Sequence, residues 1–276
     1  MKKIFALLFA LLPLFLAAQT DNFDEDPYFI LCGEADRAIA AQEYTEAAAR
    51  LLDAISLKPD EPQTVLLMSN LGMVYSYMDN DSLALATLDK ALQRAPSMKT
   101  VLANRGKVLL KMGHDLRAQD DFAKIIAADS LNREARYFHG MIGINRRNLV
   151  QAEDDFEILA NNYPDHHDTA IALSTLYSLT GREQKALEYL KKLLAEDPQP
   201  EYYAAMADCR LVLGHLPEAA EIISEGIAKY PTDPELYICR ARLNRDRYLP
   251  EEARRDARKA VELGYPPVLA QKLFEK

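Results

Sequence analysis

The chain of 276 residues has no tryptophan, three cysteines, and ten glycines, and its 33 Lys and Arg are outnumbered by 42 Asp and Glu. Each shortage excludes something. Cys32, Cys209 and Cys239 cannot all pair with one another, and their spacing builds neither a metal knuckle nor a dense disulfide framework, so they read as small apolar residues in packing, with a Cys209 to Cys239 bridge left open. The acidic balance, −9 at neutral pH, repels polyanions, and no nucleic-acid partner is expected. No Gly-, Ser- or Pro-rich linker and no low-complexity tract divides the chain. Strand-like alternation is missing as well. With 49% hydrophobic residues, that absence points to helix throughout.

Catalytic frameworks are missing too. The sequence contains no phosphate-cradling glycine loop, no His-Glu-x-x-His, no Gly-x-Ser-x-Gly elbow and no Cys-x-x-Cys. No catalytic residue and no cofactor-binding residue is assigned, and the chain is read as not an enzyme. His166 and His167, between Asp165 and Asp168 in a turn, are the one group with a metal-ligand look, but adjacent loop histidines usually point apart and no metal is expected.

The N-terminus is what a secretory leader requires. Lys2 and Lys3 precede an apolar run from Ile4 to Ala18 that Pro13 interrupts and small residues close. The run is too short for a bilayer-spanning helix, which takes about 20 residues. Residues 1–19 are therefore expected to be a signal peptide and 20–27 an acidic segment. Export follows, to the periplasm by default and to the medium as the alternative, with no membrane insertion after cleavage. No cysteine stands at the expected cleavage site for acylation, and loss of Lys2 and Lys3 takes the charge to −11.

A repeat organises the rest. Ala47, Ala84, Ala118, Ala152, Ala186, Ala219 and Ala253 follow one another at intervals of 37, 34, 34, 34, 33 and 34 residues. Twelve residues before each stands a small residue: Ala35, Gly72, Gly106, Gly140, Ser174, Ala207 and Ala241. Twelve residues after, Pro59, Pro96, Pro164, Pro198 and Pro231 close five of the seven units, with Ser130 and Tyr265 as exceptions. Small residues let two helix backbones approach closely, glycines such as Gly113, Gly181 and Gly214 end a first helix, and proline cannot continue a second. Apolar residues at helical spacing, for example Leu71, Val74, Tyr75, Leu88 and Leu92, leave faces that one hairpin cannot bury and a stack can.

These marks resemble the tetratricopeptide repeat family over residues 28–265. Matches are closest in the second unit (Leu71, Gly72, Tyr75, Ala84, Ala91, Pro96) and good in the third (Gly106, Gly113, Ala118, Phe122). The family's early aromatic is replaced by Leu31, Met68, Leu102, Arg136, Ala170, Tyr203 and Tyr237, and Glu34 and Ala257 stand where large apolar residues are usual. The resemblance implies an all-α, right-handed superhelical solenoid of about seven helix-turn-helix repeats. Residues 266–276 read as a short capping helix, with Val268, Leu269, Leu273 and Phe274 available to cover the last repeat.

In that family the first helices line a concave groove that holds a peptide or a partner helix. Carried over position by position, the contact residues are Met73, Tyr77, Lys107, Lys111, Tyr137, Met141, Asn145 and Thr175, within a wider set of Ser69, Ala103, Ile171, Ala204, Asp208, Arg242 and Arg245. A clamp for a C-terminal carboxylate is not expected: Asn70, Asn104 and Lys107 fall near its places, but Glu134 and Phe138 stand where it needs basic residues. Arg146 and Arg147 sit together in one turn, and Arg240 to Lys259 form a basic stretch that is either an anion-binding or acidic-partner surface or a solvated face paired with Asp246, Glu251, Glu252 and Asp256. The implied function is a non-catalytic scaffold or adaptor in the envelope. The alternative is a structural subunit that docks through its edges or ends. Partner identity and oligomeric state stay open.

Overall fold

The computed structural model describes residues 26–275. The expected signal peptide and nearly all of the acidic segment lie outside them. Among the described residues the chain is all helix, in hairpins whose order follows the repeat: α1 (Pro27–Ala40) with α2 (Tyr44–Leu57), α3 (Thr64–Tyr77) with α4 (Asp81–Arg94), and α5 (Lys99–Lys111) with α6 (Asp115–Ala128). Next come α7 (Arg133–Asn145) and α8 (Leu149–Asn162), α9 (His167–Leu179) and α10 (Glu183–Glu196), α11 (Pro200–Val212) and α12 (Leu216–Lys229), and α13 (Pro234–Asp246) and α14 (Pro250–Glu262). A short α15 (Pro267–Gln271) and a 3-10 turn (Lys272–Phe274) follow.

The repeat marks act through packing. All seven alanines are fully buried. A Cβ on Gly72 would lie 2.6 Å from Leu88, and one on Gly106 would lie 2.7 Å from the Phe122 ring, so each glycine admits the large side chain of its own second helix.

Every turn inside a hairpin carries one residue in the left-handed region: Gln42, Asp79, Gly113, Arg147, Gly181, Gly214 and Tyr248. The reason is visible in the hydrogen bonds. After each of these residues an N–H reaches five residues back, as in His114 to Leu109 (2.8 Å), Asn148 to Gly143 (2.8 Å) and Leu249 to Asn244 (2.8 Å), which satisfies a carbonyl at the end of the first helix. Glycine signals three of these turns. At the other four the bonding pattern imposes the same backbone on a residue with a Cβ.

Side-chain ties between consecutive hairpins repeat the sequence period. Asn104 donates to Ser69 (3.0 Å) and Lys111 to the Ser76 carbonyl (2.6 Å), while the His167 ring bonds the Tyr202 hydroxyl (2.7 Å), each pair 35 residues apart.

The chain forms two compact units, one ending at Ile142 and the other beginning at Gly143. In the first, Phe122 stacks on Phe138 with ring centroids 5.1 Å apart, inside a cluster that includes Leu88, Val108, Leu109 and Ile142. In the second, Ala207, Ala219, Ile223, Cys239 and Leu243 form one cluster, and Ile238, Ala260 and Ala270 another. The capping segment differs from expectation. Ala270 and, in part, Leu273 cover the last hairpin, whereas Val268, Leu269 and Phe274 remain exposed.

Candidate functional site

The expected contact residues project from one side of the first helices, and the two units treat that side differently. In the first unit much of it is closed. Met73 keeps 2% of its surface and belongs to the core, and Ser69 and Ala103 are buried. Lys107 keeps 4%, with its ammonium 2.7 Å from Glu134 Oε1. Met73 and Lys107 are therefore not surface groups, which corrects their expected exposure. The cause is the close approach of α3 and α5, across which Asn104 bonds Ser69. The same contacts occupy Asn104 and Lys107, the polar groups a carboxylate clamp would need.

Four expected residues of this unit reach the surface in whole or part. Lys111 is drawn to Asp79 (2.9 Å) and Asp81 (3.0 Å). Burial works against the charge of its ammonium, but the two carboxylates leave its pKa above the ordinary lysine value. Tyr77, half-buried, stacks on Tyr44 with centroids 5.0 Å apart, and burial raises its phenol to about 12. Tyr137 meets Phe138 edge-on and is half-buried, as is Met141.

In the second unit the same places are open. Asn145 and Thr175 are exposed, Ile171 and Ala204 are half-buried, and Arg242 pairs with Asp208 at 2.6 Å while both retain solvent contact. Arg245 is exposed beside Asp246 (3.0 Å). Next to this pair Glu235 has its carboxyl pushed upward, by burial first and by Asp233 second, against the pull of Arg242. The open face thus offers small side chains flanked by ionised groups.

One set of residues escaped the sequence reading. Within three hairpins an oppositely charged pair stands 16 residues apart, linking the first helix to the second. Arg105 forms a two-pronged bond to buried Asp121 (2.8 and 2.7 Å) and also holds Asp89 (2.6 Å). Arg240 grips buried Asp256 in the same way (3.0 and 2.7 Å), and Glu34 pairs with Arg50 (3.1 Å) in reverse order. The signal was available: a charge at the place of the family's leucine, answered 16 residues later. The carboxylate of Asp121 holds the Arg105 guanidinium firmly in its charged form.

The basic stretch near the end is mostly paired. Arg240 uses Asp256, Arg245 uses Asp246, Arg254 uses Glu251 (2.9 Å) and Lys259 uses Glu262 (3.3 Å). Among the described residues Arg255 and Arg258 form no ion pair. The three cysteines are buried and unpaired, and burial raises the thiols of Cys32, to about 11, and of Cys239. His166 and His167 turn to different partners, Thr169 and Tyr202.

With this geometry in place, comparisons with known proteins agree on the class. Residues 146–209 match the tetratricopeptide repeat family. Among curated proteins the chain is 30% identical over 89 residues to an FK506-binding protein-like protein of Mus musculus, covering 32% of this chain and 26% of that one. It is 22% identical over 203 residues to a DnaJ homolog subfamily C member 7 homolog of Dictyostelium discoideum, covering 67% of this chain and 38% of that one. The chain thus spans between a quarter and two fifths of the length of these relatives.

Among solved structures it is similar to a tetratricopeptide repeat protein from Parabacteroides merdae (TM-score 0.67, 22% identity, 90% of this chain and 97% of that one). PilW, a type IV pilus biogenesis factor, gives 0.66 at 21% identity over 76% and 96% of the two chains. YrrB, a protein of the same repeat type with an unusual peptide-binding site, gives 0.56 at 19% over 68% and 98%. The fold is that of a tetratricopeptide repeat solenoid. Proteins of this fold are generally non-catalytic scaffolds for protein partners.

Proposed function

We propose that this protein is an exported, non-catalytic scaffold that holds a protein or peptide partner against the first-helix face of its hairpins. The observation that carries the reading is the open side of α9, α11 and α13, where Thr175 and Arg245 are exposed and Ala204, Asp208 and Arg242 keep part of their surface. Short side chains there admit another backbone, and flanking charges give orientation. Within the second unit the contact set is Asn145, Ile171, Thr175, Ala204, Asp208 and Arg242; the first unit, taken by itself, offers Tyr77, Lys111, Tyr137 and Met141.

An envelope address is supported by the lysine-led apolar leader of the sequence and by likeness to a pilus biogenesis factor. No helix among the described residues is long and apolar enough to cross a membrane.

A second reading, docking through the turn edge, is favoured by Val150, Val212 and Tyr248, which stand 81%, 70% and 91% exposed. The test separates the two. The full chain is used to capture partners from cell envelopes beside one variant with Thr175→Arg and Ala204→Arg and another with Val212→Asp and Tyr248→Asp. A partner lost only by the first variant, and then bound directly when purified, supports the face. Equal capture by the face variant and the parent overturns it, and loss confined to the turn variant moves the site to the edge.

A further inference from the structure

The last hairpin has a feature that the first-helix face does not use. Between α14 and the α15 segment lies a cleft of about 420 Å³, inside the range of roughly 300–1,000 Å³ typical of ligand pockets. Its lining is apolar at Ala257, Val261, Ala270 and Phe274, two arginines, Arg254 and Arg258, stand there one helical turn apart, and the acid that also lines it, Glu262, is engaged by Lys259 (3.3 Å). Phe274 stays 40% exposed although it lies against an apolar wall.

The charges say what would enter. α14 carries four cations and four acids, but they are not matched along it: Arg240 of α13 takes Asp256, Lys259 takes Glu262, and Arg258 has no ion pair among the described residues. Arg254 is held only by Glu251 of its own helix, with both side chains more than half exposed. Such a surface pair contributes little and exchanges readily for another carboxylate. A free anion would leave the apolar wall unused. Nucleic acid would meet the repulsion of the chain's net charge.

We infer that the α14–α15 cleft docks an acidic segment of a partner protein, one apolar or aromatic side chain filling the pocket over Ala257 and Ala270 while its flanking carboxylates pair with Arg254 and Arg258. The geometry matches recognition in which an anchor gives affinity and arginines give polarity.

Fluorescence polarisation tests this with the full chain and a labelled peptide in which one Phe is flanked on both sides by runs of Asp and Glu. Binding is expected to weaken about tenfold when Phe becomes Ser, and about tenfold in the protein variant Arg254→Glu with Arg258→Glu. Arg255→Glu, outside the cleft, should retain binding within about twofold. Circular dichroism should show all variants equally helical, as exposed helix positions allow. Equal binding of the Phe and Ser peptides overturns the anchor, and equal loss in Arg255→Glu overturns the cleft in favour of diffuse charge. Two more results overturn the assigned occupant: displacement of the peptide by vesicles of equal parts phosphatidylcholine and phosphatidylserine, or a dimer in sedimentation whose formation blocks the peptide.

Discussion

Equivalent places on the first helices are sealed in one unit and open in the other. Ser69, Met73, Ala103 and Lys107 of α3 and α5 are buried, whereas Thr175, Ala204, Asp208 and Arg242 stand at the corresponding places of α9, α11 and α13 and keep contact with water. The difference lies in the bridging side chains. Between α3 and α5, Asn104 donates to a buried Ser69 at 3.0 Å, while between α11 and α13 Arg242 pairs with Asp208 at 2.6 Å and both keep part of their surface. Repeat register thus decides which side of a helix faces its neighbours.

The largest expected effect breaks the comparison most directly. Lys107→Glu would set a carboxylate against Glu134 in a nearly closed position, and a loss of about 3–5 kcal/mol is expected in urea denaturation. Thr175→Glu, at the matching open place, should change stability by less than about 0.5 kcal/mol. Similar costs for the two would mean that the first unit's face is not closed.

The paired charges sharpen the contrast at a lower level. Asp121→Ala removes the two-pronged bond to Arg105, whose side chain is 18% exposed, leaves that guanidinium on Asp89 alone, and should cost about 2 kcal/mol. Asp256→Ala strands Arg240, 37% exposed and able to turn to water, and about 1 kcal/mol is expected. Hydrogen exchange resolved by unit would read the two losses separately.

Turn residues come next. Tyr248→Gly removes the Cβ from a left-handed position (φ 61°) and should raise stability by about 1 kcal/mol, seen as a later thermal transition. Gly181→Ala should lower it by a similar amount.

The smallest effect is a pH dependence. The hydrogen bond from Arg182 holds the Glu153 carboxyl below its ordinary value, the second oxygen lying 2.8 Å from the guanidinium. Because the folded value is depressed, this pair stabilises above the unfolded pKa of about 4.3 and loses its contribution as pH falls below it. Glu153→Gln should flatten that acid limb and leave stability at neutral pH within about 1 kcal/mol of the parent.

Much of the fold was legible because the marks that encode it are steric. Each repeat alanine sits where two backbones touch, and Gly72 and Gly106 sit where a Cβ would collide, so period and hairpin followed from spacing. The turns at Gln42, Asp79, Arg147 and Tyr248 were not legible as left-handed, since a hydrogen-bond pattern rather than a residue type sets them. On the face, register placed Met73 and Thr175 alike; only the separation of neighbouring helices tells them apart, and periodicity carries no distance. The charged pairs across hairpins were missed for a related reason, as Arg105 reads as surface until its partner is known to be buried.

The ties that hold the hairpins together span at most about one repeat, as with Asn104 to Ser69 and the His167 ring to Tyr202, 35 residues apart. A chain built this way answers mechanical load in instalments. Pulled from its two ends, it meets, among the described residues, ties of about one repeat rather than a longer clamp. Each hairpin that peels away frees roughly 34 residues, on the order of 110–120 Å of extended chain at about 3.3–3.6 Å per residue. The protein is therefore expected to yield as a ratcheting tether that lengthens in even steps.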